Sequence, residues 1–264
     1  MRIFVLGDSF ADNLFKIAYE SIYSGNTDQI INYVRKLDEH GIDKALWFTD
    51  WLEKWGYEVI NLGKGGSSNE DIYYQFSKLD DFREGDRMIV WWTSINRFIW
   101  FNEYGEVWVK GHSVNEESPS YIIDQALSRA TNMEKEDGYV NKNIIPFIKH
   151  ITNVHSKYKP IITSFCPKIQ EKIQDNPYFF SFNVGSSFLN LGIDYFQGIK
   201  LETNGHIDDG HNGRTLNYIW AMGIDEIIKS ELDGGYLNNS NLHNTIRKRI
   251  LTTDVTFKNP PEWE

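Results

Sequence analysis

The chain has 264 residues, 41% of them hydrophobic, and its 27 Lys and Arg against 37 Asp and Glu leave a formal net charge of −10 at pH 7. That length suits one large domain with insertions as well as two small ones, and the acidic balance excludes a chain built to displace counterions from a nucleic-acid backbone. No run of about 18 apolar residues offers a membrane span, and the single cysteine, Cys166, excludes an internal disulfide or a multi-cysteine zinc site.

The first element is Arg2–Leu6, a short apolar run stopped by Gly7. It is too short for the apolar core of a signal peptide and no small-residue cleavage site follows, so a buried first strand is expected and no export leader. Residues 28–39 place Ile30, Ile31, Val34 and Leu37 on one helical stripe. A second helix over 44–55 ends at Gly56, where a left-handed C-cap wants glycine. Residues 57–61 read as strand two. The turn Gly63-Lys64-Gly65-Gly66-Ser67-Ser68 leads into a helix near 70–79, and Arg87–Trp92 reads as strand three.

Residues 98–110 then read as an aromatic β-hairpin with its turn at 102–105, an insertion of about 97–140 directly after strand three. Helices near 121–133 and over 143–158, strand four at 160–165 and a strong helix over 214–229 complete the pattern. Strands alternating with helices imply parallel βαβ units, hence an α/β fold. A domain over 1–232 is expected, followed by a C-terminal extension over 233–264. The extension carries Gly-Gly, Asn-Asn and Pro-Pro pairs and no sustained period. Its Ile246, Ile250, Leu251, Val255 and Phe257 are too apolar for a solvated tail, so it is expected to pack on its own domain or on a partner.

Four segments carry residues suited to chemistry. In a parallel α/β sheet, ligands bind beyond the carboxyl ends of the strands. Ser9, in Gly7-Asp8-Ser9-Phe10, follows strand one at once and needs a base to act as a nucleophile. Asp208-Asp209-Gly210-His211 precedes the last strong helix, and Asp208 is spaced to hold one imidazole nitrogen of His211 and leave the other as base. His206 lacks an acid three residues before it and ranks second. Gly66 and Ser67 are spaced to aim backbone N–H groups at an oxyanion. The phosphate-loop pattern is absent, because no Lys-Ser/Thr pair follows the glycines. After strand three come Ser94, Asn96 and Arg97: an amide donor to the same oxyanion, and a cation for an anionic substrate or for a neighbouring acid. Taken singly, these segments also read as an Asp/Ser turn, a solvated acidic loop, a strand-to-helix turn and a salt bridge. Cys166, before Pro167, reads as a buried or loop thiol.

Taken together, in the order Ser, Gly, Asn, Asp-x-x-His, the chain resembles the SGNH (GDSL) hydrolase family over roughly residues 1–230. The matching blocks are Gly7-Asp8-Ser9, Asn61-Leu62-Gly63-Lys64-Gly65-Gly66 and Asp208-x-x-His211. The third block departs: the family's Gly-x-Asn-Asp is replaced by Trp92-Thr93-Ser94-Ile95-Asn96-Arg97, so either Asn96 or Ser94 stands as the side-chain donor. The proline often found after the last-block histidine is Asn212 here. The resemblance implies a three-layer α/β/α sandwich with a mostly parallel, flavodoxin-like sheet. It implies an esterase with Ser9, His211 and Asp208 as triad and Gly66 in the oxyanion hole, acting on acyl esters such as O-acetyl groups on carbohydrate, without metal or organic cofactor. It is compatible with a cytoplasmic or a virion-associated location. The alternative expectation is a non-catalytic binding or structural protein on the same scaffold, such as a phage particle component, with 233–264 contacting a virion partner or a second copy.

Overall fold

A computed structural model describes residues 1–8, 11, 35–41, 45, 47–65, 67–93, 98–102, 105–109, 144–155, 159–164, 166–181, 214–235 and 237–252. Its strands are β1 (Arg2–Leu6), β2 (Glu58–Asn61), β3 (Arg87–Trp92), β4 (Phe98–Asn102), β5 (Gly105–Val109) and β6 (Ile161–Ser164). Its helices are α1 (Phe48–Lys54), α2 (Asn69–Ser77), α3 (Ile145–His155), α4 (Pro167–Ile173), α5 (Arg214–Leu232) and α6 (Asn239–Thr252). Residues 35–39 are also helical. The helix expected near 121–133, most of the one over 28–39 and the remainder of the 97–140 insertion lie outside the described residues.

Four strands form one parallel sheet in the order β2-β1-β3-β6. The register runs Ile3↔Arg87 to Leu6↔Val90 between β1 and β3, and Ile89↔Ile161 to Trp92↔Ser164 between β3 and β6. Beyond β6, Ile162 N–H donates to Tyr178 (2.8 Å) and Phe180 N–H donates to Ile162 (2.9 Å), so a short segment extends the sheet beside β6. The chain is thus α/β. The sheet order reverses between β1 and β3, the place where doubly wound sheets open a crevice at their carboxyl ends. The hairpin strands pair separately, antiparallel from Phe98↔Val109 to Asn102↔Gly105.

The inner strands β1 and β3 read as near-unbroken apolar runs because both of their faces are buried, whereas the edge strand β2 is half-exposed. Phe4, Leu6, Met88, Val90, Trp92 and Ile162 lie on one face, in a cluster with Ile72 and Phe76 of α2, Ile148 and Ile151 of α3, and Ile169 and Ile173 of α4. Ile3, Val5, Ile89, Trp91 and Ile161, of opposite parity, are buried as well. At the amino edge, Arg2 holds Asp86 with Nε (3.0 Å) and Nη2 (2.5 Å) and Asp81 with Nη1 (2.7 Å).

The chain divides into two compact units, Met1–Asp12 with Ile60–Ser181, and Asn13–Val59 with Phe182–Glu264. In the second, α1 packs on α5 through aromatic edges: Phe48 against Trp220 (6.3 Å between ring centroids) and Trp51 against Tyr218 (4.9 Å). Asp50 accepts from Trp47 N–H (2.9 Å) and Asn217 from Phe48 N–H (3.2 Å), which supplies partners for amides the first helical turn leaves open. α1 stops as the sequence expects. Gly56 has φ +92°, its N–H donates to Glu53, and Tyr57 N–H reaches Leu52, the Schellman arrangement. Buried Asp225 of α5 accepts from Tyr57 Oη (2.8 Å), Lys229 Nζ (2.7 Å) and Arg249 Nη1 (3.2 Å).

One expectation is corrected here. Residues 233–264 were expected to be aperiodic, yet α6 occupies fourteen of them. Leu242, Ile246 and Ile250, at i, i+4 and i+8, are its buried stripe, and it packs against α5. Asn238 Oδ1 accepts from Asn241 N–H (2.9 Å), so the Asn run that looks like a breaker is a helix start. Leu251, Val255 and Phe257 have no described side-chain placement.

Candidate functional site

The site is built upward from the carboxyl ends of β1, β2 and β3. Each of these strands runs out of sheet partners there, and side-chain amides take over its backbone hydrogen bonding. After β1, Gly7 N–H donates to Gln75 Oε1 (2.9 Å), while Gly7 C=O accepts from Gln75 Nε2 (3.1 Å) and from Lys64 N–H (3.1 Å). After β2, Asn61 Oδ1 accepts from Gly63 N–H (2.9 Å) and its Nδ2 donates to Ala11 C=O (2.8 Å). After β3, Asn69 clasps Thr93 at both backbone groups, accepting from its N–H (3.0 Å) and donating to its C=O (3.3 Å). Ser164, at the end of β6, donates to Trp92 C=O (3.0 Å) and accepts from Cys166 N–H (3.0 Å).

Two of these amides, Asn69 and Gln75, belong to α2. Local sequence sets that helix: Ser68 Oγ accepts from Asp71 N–H (3.2 Å) and Asp71 accepts from Ser68 N–H (2.8 Å), a capping box. Ile72 and Phe76 fix it to the core. α2 therefore offers one carboxamide to the end of β1 and another to the end of β3.

Asp8 and Thr93 join these two strand ends directly. Asp8 is fully buried and accepts from Thr93 Oγ1. A buried polar group is costly unless hydrogen-bonded, so this contact ties the two turns together. Space is tight around it. A Cβ on Gly7 would stand 2.5 Å from Ala11 Cβ and 2.9 Å from Trp91 Cβ, and one on Gly63 would stand 3.0 Å from Ala11. Close approach calls for glycine at position 7, while at Gly63 a side chain would need its neighbours to give by a few tenths of an ångström.

Two backbone bonds close short loops here. Ala11 N–H donates to Asp8 C=O (3.0 Å), and Ser67 N–H donates to Lys64 C=O (3.1 Å). Ser9 lies in sequence within the first of these stretches and Gly66 within the second. Ser9, Gly66, Ser94, Asn96, Arg97, Asp208 and His211, the residues the sequence singles out, themselves lie outside the described residues, as does His206. Described are their chain neighbours Asp8, Gly65, Ser67 and Thr93: Asp8 and Thr93 are joined at the ends of β1 and β3, and Ser67, in the turn after β2, is bonded to Lys64, which bonds in turn to Gly7.

Sequence reasoning missed Asn69, Gln75 and the Asp8–Thr93 pair. No sequence signal marked them, since the full burial of Asn69 and its backbone partner at Thr93 are seen only in the structure. Among the described residues no cluster of three or more His, Cys, Asp or Glu could hold a metal ion, and no helix is long and apolar enough to cross a membrane. No family model matches the chain, and no curated protein matches it in sequence.

Proposed function

We propose that the chain is a serine hydrolase of SGNH type that cleaves an acyl ester, with O-acetyl groups on a carbohydrate as the expected substrate class. The observation that carries the proposal is the buried Thr93–Asp8 hydrogen bond at the β1/β3 reversal. It ties the residue before Ser9 to the residue before Ser94, at the end of the sheet where α/β proteins bind ligands. Gly66 takes the oxyanion role from its place in the second block, whereas the N–H of its neighbour Ser67, also expected to face the oxyanion, is taken by Lys64 C=O (3.1 Å).

In this mechanism Ser9 Oγ attacks the ester carbonyl while His211 takes its proton. Asp208 holds the His211 ring in the productive tautomer. The backbone N–H groups of Ser9 and Gly66, with Asn96 or Ser94, bind the oxyanion as it forms. His211 then returns the proton to the leaving alcohol, and a water molecule, deprotonated by His211, releases the acid from Ser9. Arg97 binds an anionic portion of the substrate or pairs with an acid. No metal or organic cofactor enters the scheme, and a cytoplasmic or virion-associated location fits it.

A panel of p-nitrophenyl esters and acetylated glycans tests the assignment. Ser9→Ala is expected to lower the rate by about 10⁴-fold or more with little change in melting temperature. His211→Ala is expected to be nearly as severe, Asp208→Ala less so, and His206→Ala mild. Loss of the side-chain oxyanion donor is expected to cost about 2.7–4 kcal/mol in kcat, which assigns it to Asn96 or Ser94 by whichever alanine variant shows that loss. A chain inactive on every ester, with Ser9→Ala indistinguishable from wild type, would favour the binding or structural alternative.

A further inference from the structure

The carboxamide of Gln75 engages two turns at once. Its Oε1 accepts from Gly7 N–H (2.9 Å), and its Nε2 donates both to Gly7 C=O (3.1 Å) and to Ser67 Oγ (3.2 Å). Lys64 N–H donates to the same Gly7 carbonyl (3.1 Å), and Ser67 N–H closes back on Lys64 C=O (3.1 Å). Gly7, Lys64, Ser67 and Gln75 thus form a closed hydrogen-bonded ring. Gly7 stands two residues before Ser9, and Ser67 stands next to Gly66. The amide cannot be reversed, because Gly7 N–H needs an acceptor where Gly7 C=O needs a donor. The helix that carries it is anchored by the buried Ile72 and Phe76 on either side of Gln75.

We propose that Gln75 is a positioning residue that sets the separation between the nucleophile turn and the oxyanion turn. This inference rests on the serine-hydrolase reading of Ser9 and Gly66. Nucleophilic attack requires the serine oxygen and the oxyanion amides to converge on one carbonyl group within a few tenths of an ångström. A misplacement of about 1 Å costs on the order of 10²-fold in rate. Among the described residues Gln75 bonds to Gly7 and Ser67, and the proposal assigns its effect to those two contacts.

Gln75→Glu is the sharpest test, because it keeps shape and acceptor and removes the donor. The carboxylate it introduces faces the Gly7 carbonyl oxygen, a repulsion that protonation relieves. The experiment measures kcat and KM on a p-nitrophenyl ester, the rate of fluorophosphonate labelling at Ser9, and the thermal midpoint, for wild type, Gln75→Glu, Gln75→Met and Ser67→Ala. Positioning predicts folded Gln75 variants with kcat and labelling rate lowered about 10–100-fold and KM within about threefold. The ratio of Gln75→Glu to wild-type kcat should rise as pH falls, since taking the ratio cancels the titration of the common base. Ser67→Ala, which removes one leg of the ring, should lose less. A folded Gln75→Glu with kcat and labelling within about twofold of wild type overturns the proposal. If both Gln75 variants fail to fold, Ser67→Ala decides it: unchanged kcat with unchanged stability overturns the proposal, and lowered kcat with unchanged stability and KM supports it. Wild type that is not labelled, like its Ser9→Ala control, overturns the hydrolase reading together with this one, whereas labelled wild type with unaffected variants overturns this one alone.

Discussion

At the residue scale, the strand ends are governed by backbone groups that must find partners when buried. Asn61, Asn69 and Gln75 supply these partners with both ends of a carboxamide, and Thr93 and Asp8 close the remaining gap. Gly7 is the counterpart, because chains this close leave no room for a methyl group. Gly7→Ala is therefore expected to force apart Ala11 and Trp91 and to lower stability by about 1–3 kcal/mol, read by urea denaturation. On the proposed hydrolase reading, ester hydrolysis in that variant should fall as well, since Asp8 and Ser9 follow directly. A variant as stable as wild type would contradict the close packing. These residues explain which parts of the site were legible beforehand. Ser9 and Gly66 are singled out only by the order of their blocks, because serine and glycine are ordinary residues of strand-end turns, and both lie outside the described residues. Asn69 and Gln75 are not singled out, because their partners are backbone groups 24 and 68 residues away, which leave no mark on residue type.

At the element scale, the strands and helix ends follow from local pattern. Arg2–Leu6 and Arg87–Trp92 form as expected, since an apolar run bounded by Gly7 or Thr93 has no amphipathic helical alternative. The C-terminal helix was missed because Asn238–Asn241 reads as a breaker, although Leu242, Ile246 and Ile250 already hold a four-residue period. Its contribution is testable: Ile246→Ala removes a fully buried branched chain between α6 and α5, with an expected cost of about 2–5 kcal/mol by chemical denaturation. Asp225 gives a second test. Burial first, and the bond to Asp225 second, push the Tyr57 hydroxyl well above the ordinary tyrosine range. A raised folded value means that the associated stability is present below about pH 10 and is lost as pH climbs beyond it. Tyr57→Phe is therefore expected to flatten the alkaline decline of stability relative to wild type, measured by thermal melts above pH 9. An unchanged slope would contradict the contribution of Tyr57.

At the scale of the whole molecule, an acidic, aromatic-rich chain forms a parallel sheet whose order reverses between β1 and β3, and its polar frame is concentrated at that reversal. The alternation of strands and helices made the α/β class legible from sequence. Chemistry requires more than this frame, because similar sheets carry many functions, so the decision rests on Ser9 itself. The most direct measurement is treatment of the intact protein with a fluorophosphonate, followed by peptide mass mapping of the adduct. A triad-activated serine predicts a single stoichiometric adduct on Ser9, abolished in His211→Ala and retained in His206→Ala. Absence of an adduct on folded protein, or an adduct on another residue with Ser9 unmodified, would contradict the assignment of Ser9 as nucleophile.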